Sequence, residues 1–160
     1  ALLLWEACII PSLLQGASTW VEISAIKKLN NLQNWFTRLI LRVGPGTPLA
    51  ALGWETGLMD MKLRIYKEKL SMILHLKDLD DQSLASQIYR EQLDKGWPGL
   101  AKETKEICEE LHIEDVNATT MNKSEFKRLI KGAIQTKHEA NLREESQGKT
   151  KRTSLICNLN

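Results

Sequence analysis

The spacing of apolar residues constrains this chain more than any other feature of its sequence. Along most of the 160 residues, apolar side chains recur at steps of three and four, and almost nothing alternates as a half-buried strand would. The clearest stretch runs from Ser24 to Val43, where one apolar stripe comprises Leu29, Leu32, Phe36, Leu39 and Val43. The sequence therefore predicts an all-α fold.

Capping and turn residues indicate where the two longest early helices begin and end. Ser24 is a candidate N-cap, and the Gly-Pro-rich turn at 44–48 is a stop because glycine accepts a left-handed cap and proline cannot continue a helix. A second helix is predicted from about Asp60 to Leu76. Its predicted core-facing residues are Leu63, Tyr66, Leu70 and Ile73.

Three shorter helical patterns follow. The first directs Leu84 and Ile88 inward, and the second begins near Pro98, which suits a first helical position. The last pattern has the clearest start, since Asn122 is placed to cap the helix and Glu125 to complete a capping box. Beyond Glu145 the composition is that of a charged turn-rich segment.

Charge and cysteine content exclude several classes of protein. The net charge is only +2, but both ends of the chain are basic and residues 70–122 are acidic. The cysteines are odd in number and far apart, at Cys8, Cys108 and Cys157, which favours a reducing compartment over a disulfide framework. Glu6 and Pro11 interrupt the apolar start, so it predicts neither a membrane span nor an export signal. We expect an intracellular location, nuclear or cytoplasmic.

The sequence contains no recognisable catalytic constellation. Cys108 and His112 share one helix face at i and i+4, but two ligands do not make a zinc site, and a buried thiol beside a surface imidazole is the commoner arrangement. No Gly-x-Ser-x-Gly elbow occurs, and the Gly-rich turn at 44–48 follows a helix, whereas a phosphate loop follows a strand. We therefore predict no catalytic residue and no metal site.

Two series of basic and amide residues are candidates for binding nucleic acid. Arginine and lysine neutralise phosphates, and asparagine donates to phosphate or sugar oxygens. The first series follows one face of the first long helix and comprises Lys27, Asn31, Asn34, Arg38 and Arg42. The second comprises Lys123, Lys127, Arg128 and Lys131, extended by Lys149, Lys151 and Arg152. The alternative for both is an ordinary solvated helix face. The tryptophans are predicted to be mostly core residues.

Three segments occur in a characteristic order. The segment IPSLLQGASTW is followed by LNNLQNWFTRLILRV and then by LAALGWETGLMDMKLRIYKEKLSMILHL. The positions that carry the pattern are Pro11, Leu13, Leu14, Gly16 and Trp20, then Leu29, Gln33, Phe36, Arg38, Ile40 and Leu41, then Leu52, Glu55 and Gly57. In this order and spacing the chain resembles the region after the palm domain in the reverse transcriptases of non-LTR, or LINE-type, retrotransposons. The later WPGLAKETKEICEELHIED is similar to the helical continuation in some of these polyproteins.

The resemblance implies a thumb-like helical bundle over 1–80, a helical continuation over 81–146 and a flexible basic tail over 147–160. Such a thumb grips the RNA–DNA template–primer within the parent polyprotein and takes no small-molecule substrate. The family's catalytic Tyr-x-Asp-Asp belongs to the palm and is absent from this sequence. We therefore expect no RNA-directed DNA polymerase activity from this chain alone and no cofactor in it, since Mg²⁺ would belong to the palm.

Two further expectations follow from the same residues. The chain begins inside an apolar, helix-like segment without Met, as a truncated open reading frame would, so we expect a fragment of a longer protein. The alternative function is a stand-alone helical module for protein–protein interaction that does not bind nucleic acid. In that case the acidic middle and the basic ends are docking surfaces.

Overall fold

The computed structural model describes the backbone of residues 1–20, 23–116 and 121–157, and the side chains of the same residues except 20, 23 and 148–157. These residues form helices joined by turns, and no strand occurs among them. The predicted all-α class is confirmed.

The helices follow one another with short connections. Near the N-terminus, α1 (Leu2–Leu4), a π-helical turn (Trp5–Ile9) and α2 (Ile10–Leu13) are continuous. They are followed by α3 (Ala17–Trp20), α4 (Ile23–Leu41), α5 (Leu49–Thr56), α6 (Met61–Asp78), α7 (Leu84–Lys95), α8 (Leu100–Leu111) and α9 (Lys123–Cys157).

The chain divides into two compact units. The first comprises Ala1–Gln15, Glu22–Met61 and Thr136–Asn160, and the second comprises Gly16–Val21 and Lys62–Gln135. Helix α9 therefore begins in the second unit and ends in the first. The predicted division into 1–80, 81–146 and 147–160 stays a prediction.

In the first unit, aromatic stacking and one close helix contact organise the core. Trp5 is 2% exposed, and its ring stacks on Phe36 with the ring centroids 4.0 Å apart. Helix α5 approaches α9 at Gly53, where an added Cβ would lie 2.5 Å from Leu142 Cδ2. Leu52 of α5 is also buried. The absence of a side chain at Gly53 thus permits the close packing of α5 on α9.

In the second unit, α6 contributes most of the core. Leu63, Leu70 and Ile73 are buried as predicted, whereas Tyr66, which was also predicted to face the core, is half-buried. Ile107 and Leu111 of α8 are buried as well. Four ion pairs or hydrogen bonds then fix α6 to its surroundings: Lys62 to Glu110, Lys69 to Glu103, Lys77 to the Val116 carbonyl, and Asp78 to Lys123. The buried apolar residues, the ion pairs and the hydrogen bonds together position α8 and the start of α9.

The capping residues of the helices are partly as predicted. Asn122 caps α9, because its Oδ1 accepts a hydrogen bond from the Glu125 backbone N–H at 2.9 Å. Helix α4 begins at Ile23, so Ser24 lies inside it, and it ends at Leu41. Arg42 then adopts a left-handed conformation with φ 52°, and the Val43 N–H donates to the Arg38 carbonyl at 3.1 Å. A non-glycine residue therefore occupies the left-handed cap of this helix.

Helix α7 turns a different face inward from the predicted one. Leu84 is 71% exposed and Ile88 is also exposed, whereas Ser86 and Tyr89 are buried. The prediction that Leu84 and Ile88 face the core is wrong. The aromatic ring of Tyr89 is larger than either aliphatic side chain, and burying it removes more apolar area from water.

Helix α9 is longer than the pattern indicates. It continues to Cys157, although the sequence suggests an end near Glu145. The residues beyond Glu145 include glutamine, lysine and arginine, which have good intrinsic helix propensity even without an apolar stripe. The flexibility predicted for 147–160 stays a prediction.

Candidate nucleic-acid interface

The buried face of α4 is polar. Gln33 and Thr37 are buried, and Gln33 Nε2 donates to the Met59 carbonyl at 3.0 Å while Thr37 Oγ1 donates to the Gln33 carbonyl at 2.8 Å. Asn30 Oδ1 accepts from the Met61 N–H at 3.0 Å, and its Nδ2 donates to Asp60. These bonds attach the segment between α5 and α6 to α4.

The predicted apolar stripe on α4 is therefore not the most buried face of this helix, although Phe36 on it packs against Trp5. Leu32, Leu39 and Val43 are exposed, and Phe36 is half-buried against Trp5. The buried direction is rotated by about 100° from the centre of that stripe, which is one residue step around a helix. The polar residues on the buried side are tolerated there because the hydrogen bonds to Met59, Met61 and Asp60 satisfy them.

The first predicted basic series extends along a face of α4 that is largely open to solvent. Lys27, Asn31 and Arg42 are exposed, and Asn34 and Arg38 are half-buried. Arg38 Nη2 donates to the Thr47 carbonyl at 3.4 Å, and its buried Nε has no partner among the described residues. Arg38 is thus partly used to hold the turn after α4, whereas Lys27 and Arg42 extend into solvent.

Trp35 lies on the same open face. It is 59% exposed, although the sequence predicts a mostly buried set of tryptophans, and Trp54 and Trp97 are exposed as well. For these three residues the prediction is wrong, and for Trp5 it is confirmed. On a helix, Trp35 is the neighbour of Asn31 at i−4 and of Arg38 at i+3. A flat aromatic surface therefore adjoins the basic series.

The second predicted basic series belongs to the other unit. Lys127, Arg128 and Lys131 are exposed on α9. Lys123 pairs with Asp78, and this hydrogen bond, with further attraction from His75 and Lys127, lowers the pKa of the Asp78 carboxyl. Lys123 thereby has a partner within the protein. The side chains of the last three residues in the series, Lys149, Lys151 and Arg152, lie outside those described.

A cleft lies within the first unit, between α4, α5 and the part of α9 after Thr136. Its volume is about 380 Å³. Three residues of the first basic series line it, namely Lys27, Asn31 and Asn34. Gln33 and His138, both buried, also contribute to its wall. The cleft was not predicted, although Asn30, Gln33 and Thr37 recur at helical spacing and could have indicated a polar wall.

In the second unit, a cluster of three titratable residues joins α6 to α8. Lys62 Nζ lies 2.7 Å from Glu110 Oε1, and the Tyr66 hydroxyl donates to Glu110 Oε2. Burial and the bond to Glu110 raise the pKa of Tyr66. Burial by itself would lower the pKa of Lys62, but its bonds to Glu110 and Tyr66 raise it overall. The cluster holds α6 against α8, and the raised pKa values of Lys62 and Tyr66 keep the ammonium charged and the phenol neutral at neutral pH.

The cysteine and histidine of α8 do not share one environment. Cys108 is buried, and burial raises the pKa of its thiol, whereas His112 is exposed. Across residues 1–19, 24–116 and 121–147, whose side chains the structure describes, no three metal-ligating side chains lie together. In the same ranges, no helix has both the length and the apolar character that a bilayer span requires.

The structure brings part of the first basic series together and leaves the second as a separate patch. Lys27, Asn31 and Asn34 meet at the cleft, and Arg42 extends from the far end of α4. The exposure of Trp35 and the burial of the Gln33 acceptor were not predicted from the sequence. Comparison with known proteins gives no match, whether to a family model, to a curated protein or to a solved structure.

Proposed function

We propose that this chain is a non-catalytic part of a non-LTR retrotransposon reverse transcriptase, and that it grips an RNA–DNA template–primer through the open face of α4. The first support is the resemblance of the three ordered segments to the region after the palm domain. The second is the surface chemistry of α4. The proposal assigns no polymerase chemistry to this chain, because the catalytic carboxylates of the family belong to the palm domain.

The observation that carries the proposal is the charge of α4. The helix contains Lys27, Lys28 and Arg38 and no acidic residue, and Arg42 follows at its C-terminus. A phosphate backbone is attracted to such a face, because each lysine or arginine that contacts a phosphate releases a condensed counterion. Trp35, exposed beside these cations, adds a surface on which an unpaired base stacks.

The residues that carry the resemblance occupy positions that shape α4 and its neighbours. Gln33 holds the segment before α6, and Phe36 stacks on Trp5. Leu52 is buried, and Gly57 ends α5 in a left-handed conformation with φ 66°. These residues of the resemblance therefore support the position of α4, and the basic residues of α4 remain available to contact a bound polymer.

The decisive experiment measures how the affinity for an RNA–DNA hybrid depends on salt. In the Lys27→Gln/Arg42→Gln variant, both changes are on exposed residues, so the fold should be retained. We expect the slope of log affinity against log salt to flatten by roughly two units, since each phosphate contact contributes about 0.9. The matched control is Lys67→Gln/Lys105→Gln, which removes two exposed lysines of the second unit and should leave the slope nearly unchanged.

A second measurement isolates the aromatic contribution. Trp35→Ala should weaken binding to a hybrid with a single-stranded overhang by about tenfold or more, because stacking on one aromatic ring contributes roughly 1–3 kcal/mol per base. Trp97→Ala, a change at a similarly exposed indole of the second unit, serves as the control. If both charge variants show the same salt slope, or both tryptophan variants the same affinity, α4 is not the surface that binds the hybrid.

A second candidate function is supported by the exposed apolar face of α7. Leu84 and Ile88 are exposed one turn apart, and Trp97 is exposed shortly after the helix ends. Contiguous exposed apolar side chains are typical of protein-binding surfaces. If this function holds, a purified partner should bind the nuclease-treated chain and be released by Leu84→Ser/Ile88→Ser. In that case the charge variants of α4 should bind the partner normally.

A further inference from the structure

One residue in the wall of the first unit's cleft, Gln33, has a buried hydrogen-bond acceptor that lacks a donor among the described residues. Gln33 is 6% exposed, and its Oε1 accepts no hydrogen bond from the described residues. Its Nε2 donates to the Met59 carbonyl at 3.0 Å. A carbonyl oxygen only accepts, so this bond fixes which end of the Gln33 amide is the oxygen. The unpaired atom is therefore an acceptor, and a ligand that satisfies it must supply an N–H or O–H group.

The rest of the lining indicates the chemistry of that ligand. Four asparagine amides line the cleft, those of Asn30, Asn31, Asn34 and Asn141. The charged residues of the lining are one cation, Lys27, and two carboxylates, Asp60 and Glu145. The two carboxylates disfavour a free phosphate, and amides, which both donate and accept, favour a neutral ligand with several donors and acceptors.

We propose that the cleft binds one unstacked nucleobase, whose N–H group donates to Gln33 Oε1. Asparagine and glutamine amides are among the side chains that pair with base edges, most often with adenine, and single-stranded bases are available for such contacts. A volume of about 380 Å³ lies at the small end of the range for ligand sites. This inference rests on the proposed function, because Lys27, Asn31 and Asn34 belong both to the cleft and to the basic face of α4.

Two nucleosides that differ by one donor group test this directly on the whole unmodified chain. Adenosine carries a 6-amino group, whereas purine riboside is the same molecule without it and has no N–H on its base. We expect adenosine to cause saturable shifts of the side-chain amide signals of Asn31, Asn34 and Asn141 in ¹⁵N-labelled protein. Purine riboside should bind at least about tenfold more weakly, because it leaves the buried acceptor unpaired.

Variants then assign the discrimination to one residue. Gln33→Met keeps the length of the side chain and removes the acceptor, so adenosine and purine riboside should bind it equally. Gln147→Met makes the same change on an exposed residue of the first unit that does not line the cleft, and it should leave the discrimination intact. If Gln33→Met does not fold, because its bond to Met59 is lost, Asn34→Leu is the second variant, with weaker adenosine binding expected.

A second pair of ligands tests whether the cleft takes its nucleobase from a polymer or from a free nucleoside. A short single-stranded RNA with one adenine is compared with the same RNA carrying purine riboside at that position. Discrimination in either arm supports a nucleobase site, and the arm in which it is larger identifies the source. Equal binding of the two members of both pairs would overturn the inference. The salt dependence on RNA–DNA hybrid tests the proposed function separately, so the two failures are distinguishable.

Discussion

Replacing the two residues that end helices in a left-handed conformation should separate stability from nucleic-acid binding. Arg42 ends α4 with φ 52°, and His112 ends α8 with φ 55°. A left-handed conformation costs a residue with a Cβ about 1–2 kcal/mol, and glycine avoids this cost. Glycine also gives the unfolded chain more conformational entropy, which offsets roughly 0.4–1 kcal/mol of the gain.

The two substitutions therefore have different expected magnitudes. His112→Gly should raise the free energy of unfolding by about 1 kcal/mol. Arg42→Gly should raise it by only about 0.5 kcal/mol, because the variant also loses an exposed cation near the C-terminal end of the α4 dipole. Urea denaturation followed by circular dichroism measures both values.

Arg42→Gly should weaken the binding of nucleic acid although it stabilises the fold. Arg42→Gly should flatten the salt dependence of RNA–DNA binding by about one unit, since one phosphate contact is lost, and His112→Gly should leave it unchanged. A destabilised Arg42→Gly variant would contradict the account of the helix end. Equal salt slopes for the two glycine variants would contradict the role of Arg42 in binding.

Three further predictions concern other parts of the structure. The raised pKa of Tyr66 means that the unfolded chain loses this proton first, so stability should fall as pH rises above about 10, and less steeply in Tyr66→Phe. At pH 8, iodoacetamide should alkylate the exposed Cys8 well before the buried Cys108, and equal rates by mass spectrometry would be inconsistent with the burial of the latter. Gly132→Ala should stabilise α9 by roughly 0.5–1 kcal/mol in urea, because its added Cβ meets nothing, whereas Gly53→Ala should gain less or lose stability. Equal effects of the two glycine substitutions would contradict the close packing of α5 on α9.

The helical periodicity of the sequence predicts where helices form better than it predicts which way they face. The spacing of Leu63, Leu70 and Ile73 identified the buried side of α6 correctly, because that helix buries apolar residues on most of its surface. On α4, the apolar stripe suggested the wrong side. Gln33 and Thr37 are buried there because backbone carbonyls 26 and 4 residues away, respectively, accept their hydrogen bonds. Only the tertiary structure supplies the first of these partners.

The candidate site shows the same division. The charge of α4 is visible in the sequence, since it depends only on residue types and helical spacing. The cleft depends on a contact between distant segments, for it needs α9 to approach α5 at Gly53. The exposure of Trp35 follows from the rotation of α4, which was likewise not predictable from local periodicity. The local pattern therefore indicates the candidate interface, and long-range packing determines its shape.

The most direct test of the central claim maps where an RNA–DNA hybrid touches the chain. Ultraviolet crosslinking followed by mass spectrometry of the digested protein identifies the peptides that carry nucleotide adducts. We expect adducts concentrated on α4, with Trp35 prominent among the modified residues, and we expect these adducts to be lost in Lys27→Gln/Arg42→Gln. Adducts confined to other helices, or a chain that forms none at low salt, would contradict it.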